Sequence, residues 1–398
     1  MNISLYLSRR YFFSNQEGGF SRFAGILSII GLGVGVAALL LTLFILNGFE
    51  RVISQKIAEF DGHIRIRHFL NHPISADLLE SDSTISNFGE NLISSSFIQS
   101  TALLRRGDLA EGVVVEGIDN SRTDFLKNIL VNGEIILDKK SVILGKQLAE
   151  RLNLSLGNKI VLFDLNKLNS SNKRIRQYTI TGFFHSGMTE YDKSLVFINI
   201  KEANSLFEME NKRSGYIINL KDLSTLKEVT KSFNNSLSYP YMVMTWKEKN
   251  SALFKWMNIQ RWPILFIFGL IGLVGLVNII SSFAMIIVDK SRQIGILKSL
   301  GLKNSQLKLT FLMQGLMVGL IGSLIGSSIS LVVAWLQNSY KIIQVPEDIY
   351  FMNFIPIDIN FFHIFLIASL AIMSSVFAAI WPTIKIDKIK SAEVLKYE

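Results

Sequence analysis

The sequence predicts an integral membrane protein with four transmembrane α-helices and a large α+β domain inserted between the first and second. Three observations predict it. Four uninterrupted apolar runs are present, one ahead of a long polar stretch and three behind it. Apolar residues make up 49% of the chain and mean hydropathy is +0.34, too oily for a soluble protein, while 18% charged residues leave material for a folded polar domain. Lys and Arg cluster in alternate short loops, as they do when an even number of spans leaves both termini on one side.

Residues 1–23 read as a cytoplasmic interfacial segment. Between positions 3 and 13, Leu5, Tyr6, Leu7, Tyr11, Phe12 and Phe13 mix with Arg9 and Arg10, which suits a helix lying along a headgroup layer. Residues 24–48 form the first span. An uncharged run of this length, at ~1.5 Å per residue, crosses a ~30 Å hydrocarbon core. It is too long for a secretory signal core, and its exit, Asn47-Gly48-Phe49-Glu50-Arg51, is no cleavage site.

Residues 49–261 form the insert. Strand-like runs occur at 63–68, 113–117, 159–163, 176–181, 195–200, 216–219 and 241–246, bounded by Gly, Asn, Asp or Ser. Helical spacing appears at 145–154 and 223–233. A stretch of this length buries its own core, with room for two subdomains. Its two ends, 49–60 and 246–261, read as rigid extensions of the first and second spans.

Residues 262–288, 309–336 and 361–381 are the remaining spans. The loop 289–308 carries Lys290, Arg292, Lys298, Lys303 and Lys308 against Asp289 alone, and the tail 382–398 adds Lys385, Lys388, Lys390 and Lys396. The loop 337–360 carries Lys341 against Glu347, Asp348 and Asp358. Both termini and the basic loop are therefore expected inside and the insert outside. Trp246, Trp256, Trp262 and Trp381 fall where aromatic anchors sit. Glycines recur at helical spacing as Gly31, Gly33 and Gly35, as Gly269, Gly272 and Gly275, and as Gly315, Gly319, Gly322 and Gly326, which points to close helix packing. Asn278, Ser281, Ser282 and Gln314 are expected to face protein or a cavity.

Most chemistry is absent. The sequence has no phosphate-binding G-x-x-x-x-G-K-[ST], no H-E-x-x-H, no G-x-S-x-G and no cysteine. His63, His68 and His72 do not make a ligand set beside Pro73. The net charge of +9 needs no nucleic acid, since positive-inside bias accounts for it. A non-enzymatic chain without cofactor or metal is expected. The segment 289–303 sets Ile294, Ile296, Leu297 and Leu300 among basic residues ahead of Gly301, a short amphipathic helix that fits a partner groove or a lipid surface.

These motifs carry a resemblance. The chain resembles the LolC/LolE permease subunits of the lipoprotein-releasing ABC transporter, within the wider FtsX/MacB-like group, over nearly its whole length. The pieces are Asn47 to Arg51, Val142-Ile143-Leu144-Gly145-Lys146-Gln147-Leu148-Ala149, Asn278-Ile279-Ile280-Ser281-Ser282, Ile296-Leu297-Lys298-Ser299-Leu300-Gly301, Gln314-Gly315 with Gly319 and Gly322, and the tail from Ala392 to Glu398. The resemblance implies a type VII ABC transporter architecture in a bacterial inner membrane, with a MacB-like periplasmic domain. It implies a second permease, a separate LolD-like ATPase that binds ATP and Mg, and delivery of lipoproteins to the periplasmic carrier LolA. Gln293, Ile294, Ile296, Leu297, Lys298, Leu300 and Gly301 would couple to the ATPase, with Gln293 standing where the family usually has an acidic residue.

A lipoprotein cavity between the first two spans would be lined by Leu39, Leu43, Leu46, Asn47, Phe49, Ile264, Ile267 and Ile271. Exposing three acyl chains to water would cost on the order of 30 to 40 kcal/mol at ~0.8 kcal/mol per CH₂, so that path must stay apolar. Lys167, Lys173, Arg174 and Arg176, in the segment 164–177, would form a carrier-binding loop, although the family's loop contains a proline and this one does not. The alternative is a MacB- or FtsX-type mechanotransmission permease serving efflux or cell-wall hydrolase activation.

Overall fold

The computed structural model describes Ser8 and residues 19–79, 82–138, 140–165, 175–346 and 352–388. By contacts the chain divides into a membrane unit, residues 1–51, 256–344 and 354–398, and an insert unit, residues 52–255 and 345–353. Most of the N-terminal interfacial segment, the basic positions Lys167, Lys173 and Arg174, and the tail motif lie outside the described residues.

The first helix, α1 (Gly19–Asp61), carries the first apolar run and continues without a break into the insert unit. It contains no proline, and Gly48 is buried rather than exposed to solvent as a breaker. It ends where Gly62 adopts φ +73°, a left-handed position that glycine fills without Cβ strain.

The insert then runs β1 (Ile64–His68), β2 (Ile74–Ser75), α2 (Ser83–Phe88), β3 (Leu92–Arg106), β4 (Leu109–Ile118), α3 (Thr123–Ile129), β5 (Leu130–Gly133), β6 (Ser141–Gly145), α4 (Lys146–Arg151) and β7 (Lys159–Asp164). It continues with β8 (Ile175–Phe184), α5 (Thr189–Ser194), β9 (Leu195–Asn199), α6 (Ile200–Phe207), β10 (Lys212–Arg213), β11 (Gly215–Leu220), α7 (Leu226–Ser236), β12 (Tyr241–Thr245) and α8 (Trp246–Lys249). One 10-stranded sheet follows the order β12-β1-β11-β3-β4-β9-β6-β8-β5, with β7 joining β3 to β8.

That cross-link closes a ring, β3-β4-β9-β6-β8-β7, in which β4–β9 and β6–β8 are parallel and the other pairs antiparallel. Closure removes exposed strand edges. Ile98, Leu104, Val115, Leu144, Leu162 and Ile198 belong to the core associated with this ring. A second core, around Ile64, Ile66, Ile218 and Val243, is covered by Val229 and Phe233 of α7. The 15-residue strand β3 serves both, pairing β11 through its first half and β4 and β7 through its second. Neither β3 nor β6 is among the strands expected from the sequence. In β3 the run Ser94-Ser95-Ser96 interrupts any apolar alternation, and β6 sits directly before the helix that begins at Lys146.

In the membrane unit, α9 (Ser251–Asp289), α10 (Ser291–Ser299), α11 (Asn304–Tyr340), α12 (Phe361–Thr383) and α13 (Lys385–Lys388) follow. Among the described residues, four helices are long and apolar enough to cross a membrane. The hub is α11. A Cβ on Gly319 would lie 2.9 Å from Ile372 Cα, and one on Gly315 would lie 3.0 Å from the Ser375 carbonyl oxygen, so these glycines let α12 close in. Ser375 Oγ donates to the Gly315 carbonyl at 2.7 Å. Further along the same helix, Gly322 faces Leu32, and Gly326 faces Gly33 and Val36 of α1.

The glycines of α9 behave differently, for a Cβ added at Gly269, Gly272 or Gly275 would meet nothing within 4 Å. Only 6% of this span's most apolar window is buried inside the chain, against 28–33% for the other three. Trp246 is corrected. It is 8% exposed, its ring 5.6 Å from that of His63, and it belongs to the insert's interior rather than a membrane edge.

Gly326→Ala would place Cβ 2.5 Å from the Gly33 carbonyl oxygen and 2.7 Å from Val36 Cβ. Overpacking of this kind costs about 1–3 kcal/mol, so thermal unfolding in detergent should show a lower midpoint. Gly272→Ala in the isolated chain should leave the midpoint unchanged.

Candidate functional site

The short helix α10 between the second and third spans is fixed by its ends. Gly301, at φ +92°, closes it, with the Gly301 N–H donating to the Lys298 carbonyl at 3.0 Å and the Leu302 N–H to that of Leu297 at 3.1 Å. Its two faces differ sharply. Ile294 is fully buried in a cluster with Leu307, Phe311, Ala378 and Ile386, and Leu297 packs against the same cluster. Lys298 Nζ donates to the Ile386 carbonyl at 2.5 Å. Arg292, Gln293, Ile296 and Leu300 are exposed, Leu300 at 74%. The expectation that Ile294 faces a partner is corrected, while Leu297 and Lys298 are half-buried. Ile294 is core, Leu297 leans into the bundle, and Lys298 ties α10 to the chain after α12, so the available ridge is Ile296 and Leu300.

The candidate cavity residues divide between two settings. Leu39 and Leu43 pack against a cluster of Val36, Leu40, Phe44, Ala334, Ile367 and Ala371. Leu46, Phe49 and Ile264 are half-buried, and Ile267 and Ile271 are 55% and 48% exposed on the open flank of α9. Ser282 and Gln314 are buried, whereas Asn278 and Ser281 are exposed on α9, with the Asn278 amide 3.8 Å from where a Cβ on Gly31 of α1 would lie.

Asn47 is not a simple lining residue. Its Nδ2 lies 3.0 Å from His363 Nδ1 of α12, and its Oδ1 accepts from Arg261 Nη2 of α9 at 3.5 Å. Arg261 also pairs with Glu50, and Arg51 Nη1 donates to Asp358 Oδ1 at 2.9 Å. Gly48 lies against the carbonyl of Pro356, where a Cβ would clash. The exit motif thus forms a polar collar joining α1, α9, α12 and the segment ahead of α12.

In the insert, Arg176 opens the strand expected over 176–181, one residue into β8. It donates Nη2 to Ser205 Oγ at 2.5 Å and faces Glu202 at 3.9 Å. Sequence reasoning misses a buried charge cluster where α1 ends. Arg122 Nη1 donates to Glu116 Oε1 at 2.6 Å, and Nη2 donates to the carbonyl of Phe60, in the last turn of α1, at 2.8 Å. Burial pushes the Arg122 guanidinium below its ordinary pKa, with Glu116 opposing that shift. Phe60 stacks on Tyr191 with centroids 4.2 Å apart, and Phe125 meets Phe60 edge-on at 5.4 Å and the Arg122 guanidinium at 4.5 Å. The ion pair is invisible in one dimension, because strand β4 and the turn after it bring Glu116 and Arg122 together only once folded.

Two family models match the chain. A MacB-like periplasmic core domain model matches residues 26–236, and an FtsX-like permease C-terminal model matches residues 265–390. The first spans more than half of the chain. The chain belongs to the MacB/FtsX-like permease family. Among curated relatives, the permease is 26% identical to the lipoprotein-releasing system transmembrane protein LolC of Xylella fastidiosa (strain Temecula1 / ATCC 700964), over 100% of this chain and 99% of the relative. It is 23% identical to the lipoprotein-releasing system transmembrane protein LolE of Haemophilus influenzae, over 99% of each. Among solved structures, the extracellular domain of the ABC-type transporter YknZ from Gram-positive bacteria aligns with 46% of this chain and 100% of that one, at 14% identity and a TM-score of 0.33.

Breaking a buried ion pair by removing one partner leaves the other charge uncompensated and costs about 3–5 kcal/mol. Arg122→Met in the full-length permease should therefore destabilise it by that order, read as a lower denaturant midpoint. Asp124→Ala, which removes an exposed carboxylate beside Lys127, should leave the midpoint unchanged.

Proposed function

We propose that this permease is the transmembrane subunit of an ATP-driven complex that extracts outer-membrane-destined lipoproteins from the inner membrane and passes them to a periplasmic LolA-type carrier. The observation that carries the reading is end-to-end similarity to lipoprotein-releasing LolC and LolE proteins, across both the insert and the spans. In this reading both termini and α10 face the cytoplasm and the insert faces the periplasm, an orientation supported by the basic loop 289–308.

The chain carries no nucleotide or metal of its own. A separate LolD-like ATPase binds ATP and Mg, and its groove takes the ridge of Ile296 and Leu300 between Arg292, Gln293 and Lys303. The Gln293 amide supplies a hydrogen bond where a carboxylate would supply a charge. A second permease, LolE-like, LolC-like or a second copy, covers the open flank of α9. Acyl chains travel between the first and second spans, with Ile267 and Ile271 on the accessible side and Leu39, Leu43, Leu46, Phe49 and Ile264 bordering it. The segment 164–177 is the candidate for carrier contact.

Co-expression with a LolD-like ATPase and a partner permease, followed by reconstitution with a triacylated lipoprotein, tests the reading by ATP-dependent transfer to soluble LolA. Leu300→Asp should reduce ATPase co-purification and transfer at least tenfold, since it puts a charge on the exposed ridge while leaving the bundle core untouched. Leu297→Asp is a poorer test because it also damages packing. A complex that hydrolyses ATP and releases no lipoprotein would favour mechanotransmission instead.

A further inference from the structure

Asp61, the last residue of α1, is a buried acid that no transport chemistry calls for. It is 1% exposed. Its Oδ1 accepts from Lys249 Nζ at 2.5 Å and faces Arg65 Nη2 at 3.2 Å, and its Oδ2 accepts from Asn250 Nδ2 at 3.1 Å. Arg65 Nε donates to the Asp61 carbonyl at 2.9 Å. Burial alone would lift the carboxyl, but Arg65 and Lys249, with the hydrogen bonds from Lys249 and Asn250, hold it below its ordinary value.

The donors come from distinct elements. Lys249 ends α8, Asn250 is the residue before α9 begins at Ser251, and Arg65 lies on β1. The two stalks flank a cleft of about 590 Å³, lined by Ile53 and Ile57 of α1, Ala252 and Leu253 of α9, and Met188 and Tyr191. Lys249 and Asn250 line the same cleft, so the donors that hold Asp61 stand at its wall. One carboxylate there joins the end of one long helix, the start of the other and the first strand of the sheet. Asn250 is itself held, its Nδ2 donating to the Trp246 carbonyl at 2.9 Å. The short helix before it is set by a capping box in which Thr245 and Glu248 exchange hydrogen bonds. A buried carboxylate persists only where its partners outweigh its desolvation, and losing one partner releases the arrangement.

We propose that Asp61 is a bolt between the two stalks, which makes α1 and α9 deliver displacement to the insert as one lever, and that without it nucleotide-driven motion is uncoupled from lipoprotein transfer. The coupling half of this inference rests on the proposed function; the bolt itself does not. Asp61 and Lys249 are positioning residues and touch no substrate.

The chain has no cysteine, so Gln55→Cys on α1 and Lys255→Cys on α9, both exposed, accept spin labels cleanly. Pulsed electron–electron distance measurements on the reconstituted complex should give a narrow distribution, broadened at least twofold by Asp61→Asn and by Lys249→Met and restored by Lys249→Arg. In unlabelled complexes the two uncoupling variants should keep ATP hydrolysis within twofold of the parent while transfer to LolA falls at least tenfold. Should Asp61→Asn not fold, Lys249→Met, which leaves Arg65 on the carboxylate, carries both readouts. An unchanged width in the folded variants overturns the bolt. Broadening with transfer within twofold of the parent overturns the coupling role. A parent complex that hydrolyses ATP and transfers nothing overturns the lipoprotein reading and the coupling with it, while the label widths still decide the bolt.

Discussion

A helix that leaves a membrane and ends inside a folded domain must find partners for its last carbonyl groups, and this constraint shapes the insert. The end of α1 meets it with charge. Arg122 reaches the Phe60 carbonyl while Glu116 neutralises it, Arg65 reaches the Asp61 carbonyl, and Gly62 turns the chain away at positive φ. Buried guanidinium groups demand such satisfaction, because an unpaired one is far more costly than an unpaired amide. Around them Phe60, Phe125, Tyr191 and Phe197 exclude water, which strengthens each charge-assisted bond. The helix end is thereby built into the domain as part of its core.

Glycine serves two opposite purposes in the spans. On α11 it is a contact surface, and Gly315, Gly319, Gly322 and Gly326 let α12 and α1 approach until backbone touches side chain. Lipid is as apolar as leucine, so helices in a bilayer associate through such close packing rather than through hydrophobic burial. On α9 the same kind of spacing meets nothing within the chain. Ser281 on the same helix is exposed as well, a polar group that lipid cannot satisfy. Small and polar residues left uncovered on α9 are what the proposed second permease subunit would meet.

The spans are legible in the sequence because their signal is one of length and composition, and the helix hidden in the basic loop is legible from Gly301 and the apolar spacing before it. Strands show where Val, Ile and Phe recur between turn residues, as in Lys159–Asp164 and Gly215–Leu220. The ring does not, since its closure depends on β7 meeting both β3 and β8, a long-range pairing without local signature. The orientation of α10 is equally hidden. Ile294, Ile296, Leu297 and Leu300 look alike in one dimension, and only the packing of Leu307, Phe311 and Ile386 decides which of them turns inward. Trp246 misleads for a related reason: a tryptophan near a span reads as an anchor until a strand places it beside His63.

The exit motif shows how a family signature can be structural rather than substrate-directed. Asn47 has an amide that serves His363 and Arg261 at once, which neither Asp nor Leu could do with both donor and acceptor. Gly48 is required by the Pro356 carbonyl, Glu50 holds Arg261, and Arg51 holds Asp358. Asn47, Gly48, Glu50 and Arg51 hold α1 to α9, α12 and the segment ahead of α12, and none of these contacts needs a substrate to explain it.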